Sequence, residues 1–158
     1  MKMTIATTKK STWEKTGWQI VLGAVFAISL SLPVFSQPSS STEPLLTVKQ
    51  LMNAIITPTT AIIWGAYELQ TDAEWLAIEN AAFSLIAAGN LLVGGGAGEG
   101  EKAMAANADW QSYNTQMITA AQAVLSAVAA KDEAALSSAG NDLLYPPCES
   151  CHQQYQKR

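Results

Sequence analysis

Cys148-Glu149-Ser150-Cys151-His152 gathers both cysteines and the single histidine of this 158-residue chain into five consecutive positions. On a helical turn, residues i, i+3 and i+4 share a face, so two thiols and one imidazole project in the same direction. The order C-x-x-C-H is the attachment signature of c-type haem. The thiols of Cys148 and Cys151 add to the two porphyrin vinyl groups as thioethers, and the His152 imidazole reaches the iron as proximal ligand. Other chemistries use the same residue types. A zinc site needs a fourth ligand, usually a third thiolate or a second imidazole, and the chain has no further Cys or His. A thioredoxin-like dithiol normally follows a strand in a βαβ setting, and no segment here alternates with period two over a useful length. A disulfide across two intervening residues closes too small a loop to stabilise much. The pentapeptide therefore predicts one covalently attached haem c.

Four helical stretches must position that motif. From Val48, apolar residues recur at Leu51, Met52, Ile55, Ile56, Ile62, Ile63 and Ala66, a one-face helical period that ends near Leu69. Pro58 predicts a bend around Ile55 to Thr57, because its missing N–H interrupts the ladder. Thr71-Asp72-Ala73-Glu74 has the form of a capping box and starts a second stretch that runs to about Leu92. Gly94 to Gly100 then reads as a flexible inter-helix loop, since it lacks the Lys-Ser/Thr of a phosphate loop and the spacing of a dinucleotide loop. The third stretch spans about Ala103 to Ala130, with Trp110, Tyr113, Met117, Ala121, Val124, Leu125 and Val128 on one stripe. Asp132 caps a fourth, starting at Glu133. Pro146-Pro147 is expected to break or kink it, with Pro147 opening a terminal helix from Cys148. Short connections make consecutive helices antiparallel neighbours, so the expected fold is all-α, an antiparallel four-helix bundle with the haem on its C-terminal helix. Thirteen alanines lie between Ala103 and Ala139. Alanine buries little area, so an interior lined by it either packs very closely or leaves space for a large apolar cofactor.

The N-terminus reads as targeting. Lys2, Lys9, Lys10 and Lys15 precede an apolar run of 16 residues, Ile20 to Phe35. That is the order of a secretory signal, with cleavage expected before Gln37. The alternative is a retained anchor, although the run is shorter than the roughly 18 to 20 residues of a comfortable span. Either reading places the rest outside the cytoplasm, in the periplasm. Residues 1–36 are thus a signal, 37–46 a polar linker, and 47–158 the folded domain. Beyond residue 36 the chain carries five basic and twelve acidic groups, a formal charge of −7. So acidic a domain suits a basic or neutral partner and argues against nucleic acid.

Only six residues follow His152, so any sixth iron ligand must come from upstream. A C-terminal haem motif after four helical stretches resembles the class II cytochromes c, meaning cytochrome c-prime and its low-spin relatives. The resemblance rests on Cys148, Cys151, His152 and Tyr155, together with Lys49-x-x-Met52 in the first stretch. Gln156 stands where the family often carries Arg or Lys, and Lys49 precedes Met52 by three positions rather than four. The resemblance implies a side chain of the first helix over the distal face of the iron, at Met52, and two-fold association through the first two helices as a homodimer.

The distal side decides between functions. A Met52 thioether on the iron gives a low-spin centre with a raised potential, suited to electron transfer with a redox partner protein. If Met52 only fills core space, apolar residues such as Leu51, Ile55 and Ile56 leave a five-coordinate iron that binds nitric oxide or carbon monoxide. Met117 lies on the third helical stretch, and Met104, beside the glycine run, is a poor candidate. Lys49 either pairs with a haem propionate or stays solvated. Tyr155, on the face of His152 and Cys151, is expected against the haem edge, and Trp64, Trp75 and Trp110 in the core or a dimer face. A peroxidase would want distal acid–base groups, and no second histidine exists to supply one. An electron carrier or haem ligand-binding protein, rather than an enzyme, is the reading.

Overall fold

The computed structural model of the chain describes residues 43–156. The targeting segment expected at 1–36, and the first part of the 37–46 linker, lie outside the described residues. Regular structure among the described residues is entirely helical, as an all-α chain requires. It falls into four runs. The first comprises α1 (Val48–Leu51), a π-helical turn π1 (Met52–Ile56) and α2 (Thr57–Trp64); the second is α3 (Asp72–Leu92). The third comprises α4 (Glu101–Ala105) and α5 (Ala108–Ala130), and the fourth α6 (Glu133–Ser138), a second π-helical turn π2 (Ala139–Leu144) and α7 (Tyr145–Tyr155).

Helix starts sit where local chemistry puts them. Thr71 accepts from the Glu74 amide while the Glu74 carboxylate returns to the Thr71 amide, and Thr47 with Gln50 repeats the device at α1. The Asp132 carboxylate accepts from Ala135 N at 2.9 Å. Helix ends and interruptions differ from the sequence expectation. The first run stops at Trp64, with Gly65 as its cap, rather than near Leu69. The cause is remote: the Glu133 carboxylate accepts from the amides of Glu68 (3.1 Å) and Leu69 (2.8 Å), and Glu68 turns left-handed at φ 53°. The third run is divided at Ala106–Asn107, where Asn107 is extended and serves as N-cap to α5.

The prolines do not break their helices. In a continuous α-helix, Pro58 would clash with the carbonyl four residues back and leave it without a donor. The chain widens instead over π1, where Thr57 N–H reaches Met52 O, five residues back. The buried Thr59 hydroxyl then donates to the Ile55 carbonyl (2.7 Å) and to that of Ile56 (2.9 Å). The same solution recurs before Pro146-Pro147. Tyr145 N–H reaches Gly140 O across π2, and the two prolines fall in the first turn of α7, where a missing N–H costs little. Each π turn adds a residue, rotating everything downstream by about 100° relative to an uninterrupted α-helix.

The core lies between α3 and α5, closed by α2 on one side and by π2 with α7 on the other. Its deepest side chains are Ile78, Leu85, Val124, Leu136 and Leu144. Although α3 is long and apolar enough to cross a membrane by length and composition, its apolar face is this core. Ala81, Ala82, Ala88, Ala120, Ala121 and Ala127 are also buried, so the helices approach closely along much of their length. The alanine-rich interior is thus resolved by close packing.

The glycine run is tied down rather than loose. The Glu101 carboxylate accepts from Gly98 N (2.9 Å) and from Val48 N (3.0 Å), an amide that the start of α1 leaves without a helical partner. Ala97 N donates to Leu46 O at 2.9 Å. A Cβ on Gly96 would stand 2.2 Å from Glu101 Oε2 and 2.6 Å from Val48 N, so only glycine lets the loop close over this carboxylate.

Candidate functional site

A cleft of about 730 Å³ opens between the first, third and fourth helical runs. That is within the roughly 300–1,000 Å³ typical of cofactor and ligand sites. The first run lines it with Met52, Ile56, Thr57, Thr60 and Trp64, and α3 contributes Leu92. From α5 come Trp110, Tyr113, Asn114 and Met117, and from α7 Tyr145, Pro147, Cys148, Glu149, Cys151, His152 and Gln153, with Gln156 just beyond it. The two thiols, the lone imidazole and the Met52 thioether, ninety-six positions upstream of Cys148, therefore share one cavity. No alanine lines it. The space is framed by large side chains, while the alanines pack elsewhere.

Each wall is fixed by bonds that follow from the fold. Trp110 Nε1 donates to Leu92 O (2.9 Å) and Asn114 Nδ2 to Gly89 O (2.8 Å). Gln111 Nε2 donates to Val93 O at 2.9 Å. Three side chains of α5 thus bond carbonyls in the last turn of α3 and just past it, tying the two helices together. On the opposite side, Trp64 Nε1 donates to Gly140 O at 2.9 Å, pinning α2 to π2. Trp64 and Tyr145 meet edge to face at 6.4 Å along the cleft.

The cysteines are free and half-buried. Burial pushes the Cys148 thiol up to about 11, with the neighbouring Cys151 thiol adding to the effect, and burial raises Cys151 too. Both are therefore neutral at pH 7. A disulfide-exchange dithiol depends on a lowered thiol pKa, so this environment does not suit one. His152 is exposed at the cleft, and its imidazole makes no hydrogen bond among the described residues. Also among the described residues, no group of three or more His, Cys, Asp or Glu side chains is arranged to hold a bare metal ion. The cleft brings together one imidazole, two thiols and the thioethers of Met52 and Met117.

Other residues singled out by sequence lie beside the cleft. Lys49 is exposed on α1 and is not part of the lining. Tyr155 is half-buried and packs edge to face on Trp110 at 5.3 Å, behind the wall that Trp110 forms. Trp75 and Trp110 are buried as expected of core indoles, whereas Trp64 is 41% exposed and faces the cleft. Met117 is buried in the lining. Sequence reasoning passed over Asn114, only 6% exposed. A polar residue four positions after Trp110 and three before Met117, on an otherwise apolar stripe, was the available signal. Comparison with family models, with curated proteins and with solved structures found no match for this chain.

Proposed function

We propose that the chain is an exported mono-haem c-type cytochrome of the four-helix-bundle kind, resembling the class II cytochromes c, and that it transfers electrons. One observation carries the reading: Cys148, Cys151 and His152 open onto the same cavity as Met52, and that cavity has the size and apolar lining of a cofactor site. Haem would supply reversible one-electron Fe(III)/Fe(II) chemistry when bound. Cys148 and Cys151 would hold it through thioethers and His152 would bind the iron. Met52 offers a sulfur from a different helical run. Were that sulfur to bind the iron, it would raise the potential and favour a low-spin centre suited to electron transfer. Trp110 and Met117, both buried in the lining, would keep solvent from that part of the cavity, which would favour the less charged reduced state. Glu149 is the one carboxylate in the lining, and it sits at the mouth with Gln153.

Absorption spectra of oxidised and reduced protein, for the wild type and Met52→Ala, test the role of Met52. A low-spin wild type that becomes high-spin in the variant is the expected result. A wild type already high-spin, and quick to bind carbon monoxide, would replace electron transfer with a gas-binding role.

A further inference from the structure

Met52 opens π1, and the register of that wide turn decides which way its side chain faces. An α-helix advances about 100° per residue. Counted back from Thr60 along an unbroken α-helix, Asn53 would stand about 20° away, on the side of Trp64 at about 40°. Met52 would fall about 80° to the other side, between Thr59 and Ile63, and Leu51 about 180° away. The observed pattern is displaced by one position. Leu51 is buried in the core with Ile63, Met52 lines the cleft with Thr60 and Trp64, and Asn53 is exposed. The surplus residue of the π turn, worth about 100°, accounts for the exchange: it brings Met52 to about 20° from Thr60 and Leu51 round to the core.

We propose that this wide turn is what presents the Met52 sulfur to the cleft, and that Pro58 and Thr59 are its positioning residues. Pro58 has no N–H for the Ala54 carbonyl and its ring crowds that oxygen, so the unbroken helix is costly. Thr57 N–H reaches Met52 O instead. The Thr59 hydroxyl donates to the Ile55 carbonyl at 2.7 Å and to that of Ile56 at 2.9 Å. One residue thus opposes the α-helix and its neighbour satisfies carbonyls within the alternative. The consequence lies at the cleft: in the α register a carboxamide, Asn53, would take the place of the thioether. Asparagine is a poor partner for haem iron, whereas a methionine sulfur is one of its established axial ligands.

Three proteins test it by crystal structure and by the absorption spectrum of the oxidised form: wild type, Pro58→Ala/Thr59→Val, and that double variant with the exposed Ala54 removed. The double variant is expected to wind as an unbroken α-helix with Asn53 at the cleft, and to lose the low-spin spectrum. Removing Ala54 takes out the surplus residue, so Met52 is expected back at the cleft on a straight helix, with the low-spin spectrum restored. A pair that merely stabilised the fold would make the deletion a further injury rather than a rescue. Met52 still at the cleft in the double variant overturns the proposal, as does Met52 turned away from it in the shortened chain. Should the double variant not fold, the shortened chain alone decides. The inference rests on the haem reading proposed above only for its spectra. A colourless or already high-spin wild type removes that reading, and the side chain seen at the cleft in each structure still decides the role of the turn.

Discussion

The thiols of Cys148 and Cys151 show how environment sorts one residue type among several chemistries. The motif spacing permits haem attachment, disulfide exchange or metal binding, and burial weighs against disulfide exchange by keeping the thiols protonated. A thiol held near 11 is protonated across the physiological range and nucleophilically quiet. In chain produced without attached haem, alkylation of Cys148 by iodoacetamide is therefore expected to be slow at pH 8 and to accelerate as the pH approaches 11. Rapid labelling at pH 8, at the rate of an unfolded thiol, would contradict the burial described for it. The pentapeptide was legible because its chemistry lies in five adjacent residues on one helical face. Asn114 was harder to read, since its importance depends on the Gly89 carbonyl twenty-five residues away.

At the scale of elements, starts were legible and ends were not, for a physical reason. A capping box is local, so Thr71 and Glu74 announce α3 unaided. The Glu74 carboxyl is held below its usual range by the Gln70 amide and by the Thr71 hydroxyl and amide. A depressed carboxyl stabilises the fold above its ordinary value of 4.5 and loses that contribution as pH falls through the folded value. Urea unfolding from pH 6 down to pH 3 should accordingly show a slope that is shallower in Glu74→Gln. By contrast, the stop at Trp64 depends on Glu133, and the closed glycine loop depends on Glu101 meeting Val48. The prolines marked the right places, but their outcome was a wide turn rather than a break, because adding one residue relieves the ring clash while the helix goes on. The glycines separate cleanly by neighbour. Gly94→Ala meets nothing within 4 Å and should lie within about 0.5 kcal/mol of wild type. Gly96→Ala drives a methyl into backbone and carboxylate and should cost about 1–3 kcal/mol, read from chemical denaturation of both variants.

For the whole molecule, the all-α class followed from helical periodicity and short connections, and the helical elements of the described residues agree with it. The role of the alanines did not follow from composition, which cannot tell close packing from a void. Buried alanines draw α3 and α5 together, and the cavity opens where Met52, Trp64, Trp110 and Met117 stand instead. With an acidic balance beyond residue 36, a partner that meets this domain by charge should be basic, and such association should weaken as salt rises. On the proposed reading, all of this would take functional meaning from a porphyrin joined to α7. The most direct measurement is the intact mass and visible spectrum of protein purified from a host that matures c-type cytochromes, beside Cys148→Ala/Cys151→Ala made the same way. The account predicts a coloured wild type heavier than its polypeptide by one haem that survives denaturation, and a double variant without it. A colourless wild type with the mass of bare polypeptide would contradict it.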